Sequence, residues 1–232
     1  ITVDDRGVTV ADNGPGIPEG TVAGVLDFSS RASSREAYVA PDRGAQGNAL
    51  MTLVAMPFVL DGKRGDIEIV AQGVRHRIVF TVDAIRQKPL ITHEPVEVEE
   101  KNGTEITVFW PDSASSILDD ACDRFLQIAD DFTWINPHLR LDIDWSRGAR
   151  VERVIEPTAP GWEKWRPSYP TCPHWYEPEH LQRLIVAYIA HDDDNGDART
   201  VREFLAEFRG LSGSQKQKIV LEATGLHRAP PP

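Results

Sequence analysis

The sequence predicts an α/β (α+β) protein: helices on a mixed, largely antiparallel sheet over residues 1–150, followed by a small helical domain with its linker and tail over 151–232. Three observations lead there. Short runs with alternating or β-branched residues recur through the first part: "ITVDD", "VTVAD", "DIEIVAQG", "VRHRIVFTVD", "PVEVEE" and "TEITVFW". Half-buried strands require this pattern. Apolar residues at helical spacing fill the intervals between them. Beyond Trp145 a stretch rich in Pro, Trp and Arg gives way to three helical runs.

In chain order, "ITVDD" and "VTVAD" form a hairpin about Arg6-Gly7. "PEGTVAGVLDF" makes a short helix after Pro18, and the polar "SSRASSREAYVAPDRG" is a long loop. "GAQGNALMTLVAMPFVL" is a glycine-containing loop running into a buried helix. The four remaining strand runs follow, the last two separated by "KNG" and read as neighbours. "SILDDACDRFLQIADDFTWI" reads as one amphipathic helix, with Ile117, Leu118, Cys122, Phe125 and Phe132 on one face. "LRLDIDW" closes the α/β part as a strand. "PEHLQRLIVAYIA", "DARTVREFLAEF" and "SGSQKQKIVLEATGL" are the three helices, and the tail "APPP" is expected to lack order.

Composition narrows the function. The chain has 232 residues, 41% hydrophobic and 26% charged, enough for one full core and a small second domain. No run approaches the roughly 18 apolar residues of a membrane span, and "ITVDDRG" has no signal-like core. A cytoplasmic protein is expected. The net charge of −11 and pI near 5.1 argue against a broad nucleic-acid surface. Cys122 and Cys172 form no CxxC pair and read as reduced structural thiols. Ile1 opens directly in a strand pattern, so the chain is read as a piece of something longer.

Three motifs carry chemistry. "DNGPGIP" places Asp12 at a strand end, followed by turn residues. Asp12 can accept a hydrogen bond from a ligand amino group while Gly14 and Gly16 give the ligand access to the backbone; as a plain turn, the same residues need no ligand. "RGAQGNAL" puts Gly44 and Gly47 before a helix start, where free N–H groups suit phosphate oxygens. It lacks the GxxxxGK[ST] pattern and is no P-loop. "NGT", Asn102 to Thr104, enters a strand and by itself reads as a hairpin turn.

In this order the motifs resemble those of the GHKL ATPases, and within them the B subunit of type IIB topoisomerases, topoisomerase VI. The matching stretches are "DNGPGIP", "LDFSSRAS", "SREAYVAPDRGAQGNAL", "NGTEITVFW" and "WINPHLRLDI", with "CPHWYEPEHLQRL", "TVREFLAEF" and "QKIVLEATGL" similar to the helix-two-turns-helix domain that follows. The resemblance implies a Bergerat two-layer sandwich that binds ATP and Mg2+, closes a lid and dimerises. It implies a possible DNA-cleaving A-type partner, with DNA reached through that complex, and no membrane. Asp12 would take the adenine amino group, helped by Thr104; Gly14, Gly16 and Ile17 would line the base pocket. Gly44, Gln46, Gly47 and Asn48 would hold phosphates, and Ser29, Ser30 and Arg31 belong to the lid segment. Arg31 stands where the family often has lysine, and Ala49 where it commonly has glycine. The family helix that carries a water-activating glutamate and a magnesium-holding asparagine would precede Ile1, so no residue here is assigned to catalysis or to metal. An alternative of another class is a non-hydrolysing nucleotide-sensing or partner-binding module with the same fold.

Two further features read as structural. "HDDDNGD" breaks the calcium-loop pattern, with His191 and Arg202 at its ends. Trp162, Trp165 and Trp175 read as packing the helical part against the α/β part rather than stacking on bases.

Overall fold

Strict alternation in "GDIEIVA" makes a strand with one dry face: Gly65, Ile67, Ile69 and Ala71 are buried while Asp66, Glu68 and Val70 are half-exposed. The same rule runs across a whole sheet. The structure, a computed structural model, describes residues 1–28, 37–40, 49–163, 165–166, 168–195 and 199–226. They divide into two compact units: Ile1–Ala32 with Asn48–Glu163, and Ser33–Gly47 with Lys164–Pro232.

Unit 1 is a mixed, largely antiparallel sheet flanked by helices. Its strands are β1 (Thr2–Asp4), β2 (Gly7–Ala11), β3 (Gly65–Ala71), β4 (Val74–Asp83), β5 (Lys88–Glu97), β6 (Thr104–Phe109), β7 (Leu141–Trp145) and β8 (Val151–Ile155). The order across the sheet is β5-β4-β3-β6-β2-β1-β7-β8, and only β1 and β7 run parallel. Register puts the apolar sets of neighbouring strands on one face: Ile67 pairs with Ile78 and Val108, Val8 with Val3 and Val108. Helices α1 (Glu19–Val25) and α2 (Ala49–Asp61) cover one end of that face, where Val22 and Val54 join Ile67, Ile69, Ile78, Phe80 and Val108. A second cluster of Val3, Leu118 and Trp145 lies under α3 (Ser115–Asp119) and α4 (Cys122–Ile135).

Four details differ from the reading of the sequence. Strand β5 starts at Lys88, well before "PVEVEE", and pairs only with β4. Its Pro89 and Pro95 are tolerated because an edge strand needs fewer donors. The strand after "KNG" does not pair with β5; β6 sits between β3 and β2, so the sheet centre is built from sequence-distant strands. The single amphipathic helix is two, broken at Asp120-Ala121, with Asp119 at the end of α3 tied to Arg147. Finally, Val151–Ile155 pairs with β7 and continues the sheet past residue 150.

Unit 2 contains α5 (Pro178–Asn195), α6 (Val201–Ala206) and α7 (Ser214–Thr224). Thr200 caps α6 in a reciprocal box: its Oγ1 accepts from the Glu203 amide while Glu203 accepts from the Thr200 amide at 2.7 Å. Leu184, Phe208 and Leu221 are buried, and Phe208 meets the rings of Tyr176 and Phe204 edge-on. Trp165 and Trp175 pack edge-on within this unit, whereas Trp162 stacks on His138 in unit 1. Cys122 and Cys172 are free thiols, and among the described residues no helix is long and apolar enough to cross a membrane. The tail 227–232 lies outside the described residues, as do Gly196 and Asp197 of "HDDDNGD", whose first five residues end α5.

Candidate functional site

Strand β2 carries Val8 and Val10 toward the helix-bearing face, and alternation continues that direction to Asp12 just past its end. The Asp12 amide donates to the Thr104 carbonyl at 2.9 Å, the last rung between β2 and β6. Asp12 Oδ1 then accepts from the Gly14 amide at 2.8 Å and from the Thr104 amide at 3.2 Å. This is an Asx turn, with the carboxylate locking its own loop. Its second oxygen, Oδ2, has no protein partner among the described residues, and Asp12 is exposed.

The remaining turn is stitched to the same place. Thr104, 5% exposed, accepts from the Ile17 amide through Oγ1 at 3.1 Å, which leaves its hydroxyl proton free to donate. Gln72, in the β3–β4 turn, donates to the carbonyl of Pro15 at 3.1 Å. Gly16 has φ +79°, and a Cβ there would come within 2.9 Å of the Gln72 side chain and 3.2 Å of the Gly103 carbonyl. Gly103 has φ +93°, and a Cβ on it would overlap the Asp12 carbonyl oxygen. Both positions therefore demand glycine, for conformation and for space.

Asp12, Gly14, Gly16, Ile17 and Thr104 thus come together at one end of β2 and β6. Ser29, Ser30, Arg31, Gly44, Gln46, Gly47 and Asn48 lie outside the described residues. Sequence reasoning missed Gly103 and Gln72 as builders of this corner; "NGT" signalled a turn, and nothing local signalled that the turn would touch Asp12.

Beside Asp12 the helical layer has a gap. Helix α2 packs on β3, β4 and β6, and α4 on β7. Four strand spacings separate β3 from β7, about 19 Å, whereas neighbouring helices sit about 8–10 Å apart. Over β1 that space is closed by α3 and α4, which bury Val3, and the part left open lies over the Val10 end of β2. It forms a cleft of about 660 Å³, walled by Val10, Phe125, Ile128, Phe132 and Leu141 with Asp12 at its rim. Val10, Ile128 and Phe132 are accordingly about half exposed. Among the described residues no group of three or more His, Cys, Asp or Glu side chains is placed to hold a metal ion.

One titratable pair lies on the same sheet face. His76 is fully buried, its Nδ1 2.9 Å from His93 Nε2 and the rings stacked at 5.1 Å. Burial first, then repulsion from a charged His93, pushes the His76 pKa down, against an opposing pull from Glu19.

No family model matches this sequence, and no curated protein matches it. Among solved structures, the chain has a weak likeness to the 43K ATPase domain of Thermus thermophilus gyrase B in complex with an aminocoumarin, at 18% identity and a TM-score of 0.35 over 68% of this chain and 39% of that one. It is also weakly similar to the N-terminal domain of a DNA repair protein, at 11% identity and a TM-score of 0.33 over 63% and 41%. The chain spans about two fifths of the length of each. Likeness at this level carries no residue's role from those proteins to this one.

Proposed function

We propose that unit 1 binds ATP as the base-recognising part of a GHKL-type nucleotide site, with Asp12 accepting a hydrogen bond from the adenine amino group. The observation that carries this reading is the asymmetric use of the Asp12 carboxylate. Oδ1 is held by the Gly14 and Thr104 amides, while Oδ2 has no partner among the described residues. An acceptor held rigidly in this way favours an amino donor over a carbonyl, and so adenine over guanine. Thr104 adds a hydroxyl at the same corner, and Gly14, Gly16 and Ile17 shape its floor.

The phosphate ligands proposed from the motif resemblance are Gly44, Gln46, Gly47 and Asn48, with Ser29, Ser30 and Arg31 in the lid segment. Mg2+ would accompany the phosphates, neutralising charge beside an acidic unit; its family ligand is an asparagine outside these residues. The proposal extends to binding, and no residue of this chain is assigned to water activation. On the same resemblance we place the chain in a topoisomerase VI B-like subunit of the cytoplasm that dimerises on ATP and works with a DNA-cleaving partner. DNA would be reached through that assembly, since unit 1 holds 14 Lys and Arg against 25 Asp and Glu, which accounts for the whole net charge of −11.

Isothermal titration of MgATP and MgGTP into the chain and into Asp12→Asn tests the reading. Asparagine keeps an acceptor for the two amides and turns a donor toward the ligand. A charged hydrogen bond of about 1.5–3 kcal/mol predicts a loss of ATP affinity of roughly ten- to a hundredfold, with ATP preferred over GTP in the parent. Equal binding of both nucleotides, or an unaffected Asp12→Asn, contradicts it.

A further inference from the structure

Among the described residues two other than glycine hold a left-handed φ, and both are glutamines: Gln72 at +49° and Gln87 at +54°. Gly, Asn and Asp adopt that conformation most readily, and a long unbranched side chain is strained there. Gln87 closes the turn between β4 and β5 on itself. Its amide donates to the Asp83 carbonyl at 2.8 Å and its side chain to the Ala84 carbonyl at 2.7 Å, both within that turn. Gln72 reaches further. With Gly73 at φ +76° it forms the two-residue connection between Ala71 and Val74, a type I′ turn that favours Asn-Gly. Its side chain leaves the turn and donates to the Pro15 carbonyl at 3.1 Å and to the Gly16 carbonyl at 3.4 Å.

The 14–17 turn is thereby held from three places in the sheet. Thr104 Oγ1 of β6 accepts from the Ile17 amide, Asp12 just past β2 accepts from the Gly14 amide, and Gln72 donates to the carbonyls between them. The Gln72 turn is itself anchored, since the Gly73 carbonyl accepts from the Val98 amide at 2.8 Å. Contact is close: a Cβ on Gly16 would lie 2.9 Å from Gln72 Cγ. An asparagine would suit the β3–β4 turn better, yet its amide falls one methylene short of Pro15. A residue ill suited to its own turn and fitted to a neighbouring one has its reason in the neighbour.

We propose that Gln72 is a positioning residue for base selection: it clamps the 14–17 turn so that the Gly14 amide keeps its hold on Asp12 Oδ1 and Oδ2 is presented in one orientation. The inference rests on the nucleotide reading of the Asp12 corner. Once released, the turn carries the Gly14 amide away from Oδ1, and the carboxylate rotates about its Cβ–Cγ bond. An adenine amino group, which needs Oδ2, then binds more weakly, whereas guanine presents a carbonyl there and has no such bond to lose. Gln72 acts through Pro15 and Gly16 and touches no ligand atom.

The test uses the full chain with Gln72→Asn, Gln72→Met and, as a control, Gln87→Asn. Each is read by melting, by amide hydrogen exchange without ligand, and by calorimetric titration with MgATP and MgGTP. Gln72→Asn and Gln87→Asn each relax a left-handed residue and melt about 2–4 °C above the parent. Gln72→Met keeps the length and the strained backbone, loses the donor, and shows no such rise. In both Gln72 variants the Gly14 and Ile17 amides of the free chain exchange roughly three- to tenfold faster, and ATP affinity falls by a similar factor while GTP affinity holds. In Gln87→Asn neither the exchange nor the affinity changes. A higher melting temperature joined to weaker ATP binding is a combination that a purely structural Gln72 does not produce. Parent rates at Gly14 and Ile17 in both Gln72 variants overturn the clamp, and so does a lowered melting temperature in Gln72→Asn. Equal losses for ATP and GTP overturn the role in selection. A parent that binds neither nucleotide overturns the nucleotide reading and selection with it, while the ligand-free exchange rates still decide the clamp.

Discussion

Unit 1 and unit 2 are held together by different means. Unit 1 buries Val, Ile and a few rings between a long sheet and four helices, and its strands bond across sequence-distant partners such as β2 with β6. Among the described residues unit 2 has three α-helices, one only six residues long, and fills its centre with Trp165, Tyr176, Tyr188, Phe204 and Phe208. Helices that short do not persist alone in water, so they depend on rings that bring large apolar area with few torsions to freeze. Charge divides the same way. All of the net −11 falls in unit 1, while unit 2 balances 11 Lys and Arg against 11 Asp and Glu. The candidate site therefore sits on the acidic unit.

The largest expected effect breaks the corner that unit 1 builds. Gly103→Ala puts a methyl group onto the Asp12 carbonyl at a φ of +93°, and should cost on the order of 3 kcal/mol in urea unfolding. A loss below about 1 kcal/mol would mean that the β2–β6 end is looser than this geometry. Next comes Leu184→Ala, at 1% exposure in α5, expected to cost about 2–5 kcal/mol locally. Hydrogen exchange should then rise across α5 to α7 while β3 and β4 stay protected; a uniform rise would merge the two units into one cooperative block.

A smaller effect belongs to His76. Its folded pKa lies below the ordinary 6.5, so the unfolded chain binds more protons in the window just under that value. Stability is complete above about pH 6.5 and falls as the pH drops through the window, by at most about 1.4 kcal/mol per pH unit. Melting temperature against pH should show this fall in the parent and a flatter profile in His76→Leu. An equal fall in the variant would assign the acid sensitivity to other groups.

Legibility in the sequence followed the range of the interactions. The β1–β2 hairpin was readable because Arg6-Gly7 separates two alternating runs, and β3 and β4 were readable as strands from their own alternation. The position of β6 was not, since its neighbours lie about a hundred and about forty residues back in the chain. Strand β5 was read short because two prolines and alternating charges hide an edge strand. At the site, Asp12 and Thr104 were legible as motif residues, whereas the approach of Gly103 to the Asp12 carbonyl needs the sheet to be assembled first.

The most direct measurement of the central claim follows the backbone amides of Gly14 and Thr104 by two-dimensional nuclear magnetic resonance during a titration with MgATP. Both amides donate to Asp12 Oδ1, so a partner arriving at Oδ2 must redistribute charge on the carboxylate they share. The account predicts that the two resonances move together and saturate at one dissociation constant, with MgGTP at the same concentration moving them far less. Resonances that stay fixed under saturating MgATP, or that respond equally to both nucleotides, would contradict it.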